Sequence, residues 1–388
     1  MRIESHTFNI FQLGLGFLLI FFAFGAQSAI LQTIISTKHK EGIVDEHAGY
    51  ASAAIIYGVF TFANFIAAPV VELLGARWAL FVGALAYGIF QAGFLFLNEP
   101  CLYISSVLVG IGAAVLWTAQ GKYLAINSTD ETADLHTLLR MPKQKRLLVD
   151  TEGNSDPKMT FKKLVYSTFK LMVTKKMLFL ALPFIYSGIE MSFASGIYAT
   201  SISFTKKMAT NTKTIMALNG IAQGLGRGTG GLLFGIIGKV TKKLKSTVIV
   251  FIGLVIHFLV FVAIYLNFPS DAPLEETERE GVIKPPSIAI TLICGYLLGS
   301  GDTCWNTQIF SLLVLKYKNK SSEAFAVFKF YQSLATAIAF LYATHLNMEA
   351  HMLILAVTGI LGFIGFAIGN KLPTQPEEAN DNSSNYTY

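Results

Sequence analysis

At 388 residues, 53% hydrophobic and only 14% charged, with a mean hydropathy of +0.53, the chain is short of solvated surface; a soluble domain usually carries about 25% charged residues. An ordinary soluble enzyme is excluded, and so is a secreted cysteine scaffold, because Cys101, Cys294 and Cys304 form neither a metal spacing nor a disulfide framework. The net charge of +6 fits attraction to anionic lipid and not nucleic-acid binding, which would need a soluble domain or a basic-aromatic groove.

A helix needs roughly 20 apolar residues to cross the hydrocarbon layer, and the sequence offers ten such stretches. The first four are Phe8–Ile35, Ala48–Leu74, Ala76–Leu97 and Cys101–Ile126. The other six are Met177–Phe204, Thr214–Gly238, Ser246–Phe268, Ser287–Leu315, Ser322–Leu346 and Ala350–Lys371. The first is too long for the core of a cleaved signal peptide and has only Arg2 as a basic leader. Blocks such as Leu13–Phe24 lack the alternation of barrel strands. An all-α membrane protein is therefore predicted, with an N-terminal bundle over 1–126 and a C-terminal six-helix bundle over 177–371.

Between them, 127–176 reads as a central cytosolic loop. Its second half places Phe161, Leu164, Val165, Thr168 and Met172 on one helical face, the pattern of a helix lying on the inner leaflet. Residues 372–388 read as a disordered cytosolic tail. Lys and Arg set the orientation. With the N-terminus inside, 21 basic residues fall on the inner side and 7 on the outer, while Arg227 and Lys329 lie within spans. Both termini are expected in the cytosol, which makes the glycosylation triplets at Asn127, Asn319, Asn382 and Asn385 chance matches.

Ionisable residues inside spans are costly and usually face a partner or a wet cavity. Glu190 is mid-span, Asp302 has Asn306 one turn on, Lys329 and Gln332 share a face, and Arg227 lies among glycines. These are the candidates for binding a substrate or coupling ion. Glu190 or Asp302 would take a proton or cation, with Lys329 as counter-charge. The structural alternative pairs Asp302 with Lys329 and Glu190 with Arg227 to fix helix register. Gln27, Gln32, Asn64, Gln91, Gln120, Asn219 and Gln223 are expected to bond between helices, and His257 and His345 to be packing residues. Trp117 and Trp305 read as lipid-facing or packing bulk. Gly226, Gly228 and Gly231 match a dinucleotide fingerprint but follow no strand. Gly220, Gly224 and Gly228 instead suggest a smooth stripe for close packing. No cofactor, metal site or catalytic constellation is expected.

A repeat organises the spans. Ala68-Pro-Val-Val-Glu72-Leu-Leu-Gly75-Ala-Arg77 ends the second span, and Gly231-Leu-Leu-Phe-Gly235-Ile-Ile-Gly238-Lys239 ends the second span after the loop. Glycine lets two helices and the short link between them approach closely there, and an acid at a helix end can pair with a basic residue just beyond it or with a neighbouring helix. This resembles the signature turn of the major facilitator superfamily. The first copy departs from it by Glu72 in place of the usual Asp and by Arg77 one place late, and the second by Gly235 where the acid would be. If each copy follows the second helix of its half, the halves hold four and six helices instead of six and six. An alternatively spliced product or an incomplete gene model would account for the difference; the alternative is a natural ten-helix design.

Ala54-Ile-Ile-Tyr-Gly-Val-Phe60, Ala114-Val-Leu-Trp-Thr-Ala-Gln-Gly121, Gly299-Ser-Gly-Asp-Thr-Cys-Trp-Asn-Thr-Gln308 and Ala324-Phe-Ala-Val-Phe-Lys-Phe330 resemble the UNC-93-like family, and most of all an orphan subgroup of it. The resemblance implies a facilitator fold and multi-pass residence in a lipid bilayer. It also implies one of two roles: secondary transport of a small solute or ion, or an accessory part played to another membrane protein such as a potassium channel.

Overall fold

Long apolar blocks leave the backbone no water to bond with in a bilayer, so it must bond to itself, and helices do this locally. A computed structural model describes residues 5–45, 48–127, 161–236, 245–343 and 345–374. The helices are α1 Ser5–Lys40, α2 Ala48–Leu74, α3 Ala76–Gly93, α4 Glu99–Asn127, α5 Phe161–Met172 and α6 Lys175–Ser192. They continue with α7 Tyr198–Phe204, α8 Thr212–Ile236, α9 Ser246–Asn267, α10 Ile288–Lys316, α11 Ser321–Ala343 and α12 Met348–Lys371. A π-helical segment, Phe193–Ile197, joins α6 to α7 into one rod.

All ten expected stretches are helical, and among the described residues eight are long and apolar enough to cross a membrane. The two that fall short are α1, whose apolar part is Asn9–Gly25, and α8, which is diluted by glycine and threonine. Residues 128–160 and 375–388, with Gly238 and Lys239, lie outside the described residues, as do the expectations that concern them.

Two main hydrophobic cores form. One gathers Ile35, Phe60, Phe90, Val109 and Leu116 from α1–α4. The other gathers Phe184, Tyr198, Phe261, Trp305, Phe328 and Phe366 from the later helices. They meet chiefly where α2 and α4 pack on α11. There Phe65 and Phe330 have ring centroids 4.7 Å apart, Tyr57 stacks on Phe340 at 5.6 Å, and Gly121 leaves room for the Phe325 ring.

Three helices are capped at their starts: Thr174, Ser287 and Asn347 accept bonds from the first-turn amides of Met177, Ile290 and Ala350. At the α2–α3 turn Gly75 has φ +74° with nothing near its missing Cβ. The glycine is needed there for backbone conformation, not for close approach.

The glycine stripe of α8 is corrected more sharply. Gly220, Gly224 and Gly228 have open space beside them, whereas Gly226 abuts the Tyr296 carbonyl of α10. From the α10 side, Gly295 and Gly299 receive Asn219 and the Gln223 backbone. The packed seam is thus the Asn219–Gln223–Gly226 face. Helix α5 packs on α2 and α11, burying Leu164, Thr168 and Leu171 against protein while Phe161, Tyr166 and Phe169 remain exposed. Phe169 stacks on Phe65 at 4.5 Å.

Candidate functional site

The polar residues inside the helices assemble into two neighbouring groups. In the first, Arg227 of α8 donates from Nε to Asp302 Oδ2 of α10 at 3.0 Å. Asn306, one turn below, donates to Asp302 Oδ1 at 2.5 Å, and Thr303 Oγ1 donates to the Arg227 carbonyl at 3.2 Å. The Arg227 side chain keeps 43% exposure and that of Asp302 17%, so this pair is not sealed. Glu190 of α6 is hydrogen-bonded to neither member of this pair. It is 1% exposed, and neither carboxylate oxygen has a hydrogen-bond partner among the described residues.

Three residues on, the α-helix yields to the π segment. Such wide turns free a carbonyl and cluster at functional sites, and Gln223 of α8 donates to the Ala194 carbonyl at 3.1 Å. Among the described residues Asn64 bonds only within its own helix, to the Phe60 carbonyl, and Asn219 Oδ1 has no partner.

The second group lies where the two cores meet. Lys329 of α11 is 4% exposed and donates to Gln332 Oε1 at 2.7 Å. Gln332 Nε2 in turn donates to Ser187 Oγ of α6 at 2.8 Å. The ammonium sits over the rings of Trp117 at 4.0 Å, Phe328 at 4.6 Å and Phe310 at 5.7 Å. Thr61 of α2 and Ser333 of α11 bring their hydroxyls to 3.0 Å. Burying an ammonium costs several kcal/mol, and a desolvated cation–π contact returns about 2 kcal/mol. The box therefore offsets only part of the burial.

This geometry replaces the expected pairings. Asp302 holds Arg227, Lys329 holds an amide and three aromatic faces, and Glu190 holds nothing within bonding distance. Of the two expectations for Trp117 the packing one holds, against Phe17 and Phe21, and the same ring also walls the lysine site. Tyr186 and His257 form a buried pair, OH to Nδ1 at 2.6 Å, with Nε2 facing the Leu298 carbonyl at 3.3 Å; both ring nitrogens are thereby occupied in packing. Trp117, Ser187, Thr61 and Ser333 were missed in the sequence because uncharged residues in an apolar block carry no signal of which face they share.

At the end of the bundle where α2 turns into α3, Glu72 binds Lys122 Nζ of α4 at 2.5 Å and accepts from Ser322 Oγ of α11 at 2.7 Å. It thus reaches a neighbouring helix and not Arg77, which makes no ion pair among the described residues. Ser167 of α5 donates to Glu323 of α11 at 3.4 Å. The turn acid therefore ties α2, α4 and α11 together at one end.

Comparison with known proteins places this arrangement. The family profile described as "Ion channel regulatory protein UNC-93" matches residues 40–140 and 135–367. The chain belongs to the UNC-93 family. Among curated relatives of this UNC-93 protein, UNC93-like protein MFSD11 of Xenopus tropicalis is 35% identical over 425 residues, covering 92% of this chain and 94% of the frog protein. UNC93-like protein 3 of Arabidopsis thaliana is 25% identical, covering 91% of this chain and 84% of the plant protein. The frog comparison runs over 425 residues although 92% of 388 is about 357, so gaps of about 68 positions open in this chain.

Two solved structures share the fold. FucP, a Major Facilitator Superfamily transporter crystallised in the outward conformation, has a TM-score of 0.59 at 14% identity, covering 94% of this chain and all of that one. A bacterial homologue of the iron transporter ferroportin in an outward-facing state gives 0.59 at 12% identity, with the same coverage of each chain. The UNC-93 protein is therefore an all-helical, multi-pass membrane protein of the major facilitator fold.

Proposed function

We propose that this UNC-93 protein is a secondary transporter of a small solute, coupled to a proton or cation taken at Glu190. The observation that carries this reading is the bare carboxylate: a buried acid with no bonded partner, beside an ion pair and next to a π turn. A fold that needed only rigidity would have paired it, since an unpartnered buried polar group is expensive. Facilitator-fold sites lie near the midplane between helices of the two sets; the reading is supported by Lys329 and Gln332 standing where the two cores meet, with Gln332 bonding to Ser187, one turn before Glu190 on the same helix. Both termini are cytosolic in this reading, on the basic-residue bias. Reconstitution into proteoliposomes with an imposed pH gradient tests it: solute uptake driven by the gradient is expected, and gradient-independent uptake that persists unchanged in both Glu190→Gln and Asp302→Asn removes the coupling.

A second reading is an accessory subunit for another membrane protein, such as a potassium channel. Two observations favour it. The gaps of about 68 positions against the frog relative suffice for two spanning helices with their links, at roughly 20 residues each. The α8 face bearing Gly220, Gly224 and Gly228 is smooth and open, with Ile221 and Leu225 exposed beside it. Purification in mild detergent distinguishes the readings: a stoichiometric membrane partner without any solute-induced stabilisation supports the accessory role.

A further inference from the structure

The α4–α11 contact holds a cation that no described residue neutralises. An ammonium has three N–H donors, and Lys329 spends one on Gln332 Oε1. Aromatic faces surround the rest. Among the described residues other basic side chains within these helices are engaged elsewhere: Arg227 is bonded to Asp302, Lys122 to Glu72, and Lys176 to the Leu372 carbonyl and Thr374 at a helix end, which leaves Lys329 to meet an incoming negative charge.

We propose that Lys329 anchors the carboxylate of a small organic monoanion whose apolar body lies against Trp117 and Phe310. This deepens the transport reading above and rests on it. One unmatched cation selects one negative charge; a phosphate, with about −1.5 to −2 at neutral pH, would leave charge bare in a low-dielectric site. Aromatic walls select an apolar body over a sugar-like one. The hydroxyl of Ser187 accepts from Gln332 Nε2 and so keeps its own hydrogen to donate to the second carboxylate oxygen. Trp117 packs with the first core, while Phe310 and Phe328 belong with the second, so any motion that parts the cores opens this site and uncovers the ammonium.

The test uses the full chain in nanodiscs and pairs each acid with its amide: acetate, pyruvate and benzoate against acetamide, pyruvamide and benzamide. At least one carboxylate is expected to raise the melting temperature by a few degrees at saturation, with its amide inert. Gln332→Glu, nearly isosteric, supplies Lys329 with an internal counter-charge and is expected to weaken carboxylate binding at least tenfold, as is Lys329→Gln. Equal stabilisation by acid and amide, no stabilisation by any of the three acids, or undiminished binding in Gln332→Glu overturns the assignment, the first two without relying on any variant. Carboxylate binding without uptake into proteoliposomes leaves this site standing and defeats the transport reading. Gradient-driven uptake of neutral solutes alone does the reverse.

Discussion

Arg227 and Lys329 are both basic residues inside apolar helices, and the protein treats them in opposite ways. Arg227 lies 3.0 Å from Asp302, in a pair that keeps partial exposure, while Lys329 is buried over aromatic rings with one amide for company. The same contrast divides the acids: Asp302 is saturated by Arg227 and Asn306, and Glu190 is bare. Arg227 and Asp302 neutralise each other, whereas Glu190 and Lys329 have no opposite charge bonded to them among the described residues.

The largest effect expected from this contrast is functional. Glu190→Gln should abolish gradient-driven uptake, at least tenfold, while changing stability little, because no bond is lost; flux assays with thermal melts on the same preparation read both. Next comes packing. Gly226→Ala pushes a methyl group into the Tyr296 carbonyl and should cost about 1–3 kcal/mol, whereas Gly224→Ala, with open space, should stay within about 0.5 kcal/mol, as compared by denaturant titration in detergent.

A smaller effect separates the pairings themselves. A double-mutant cycle between Arg227 and Asp302 should give a coupling of about 0.5–1 kcal/mol, discounted for exposure, and the cycle between Lys329 and Asp302 a value near zero. Coupling of the second pair as large as the first would dissolve the contrast. The smallest effect belongs to Lys122→Met, which removes a partly exposed bond to Glu72 and should cost about 0.2–1 kcal/mol with Ser322 still holding the acid.

The spans were legible because a bilayer imposes length and apolarity that nothing else in a sequence imitates. The candidate charges were legible for the same reason, as exceptions. Their partners were not. Arg227 and Asp302 stand 75 positions apart, and period alone cannot say which helix face turns to which neighbour. The α8 glycines show the same limit: Gly220, Gly224 and Gly228 repeat every four residues, but Gly226 and Gly230 do so too, and only the position of α10 decides between them. Gly75 was placed correctly and explained wrongly, since a sequence does not display a dihedral angle.

The wide turn at Phe193–Ile197 carries a consequence for how this helix tolerates change in length. A π turn holds one residue more than the α-helix around it, so the rod already contains a surplus position. Removing a single residue there should let the turn relax into ordinary α geometry while leaving Glu190 and Tyr198 each in its own register. The same deletion two turns earlier would swing the whole outer half of the rod by about 100° and turn its buried tyrosine toward lipid. Evolutionary shortening of this helix has one inexpensive place to happen, and it lies right beside the bare acid.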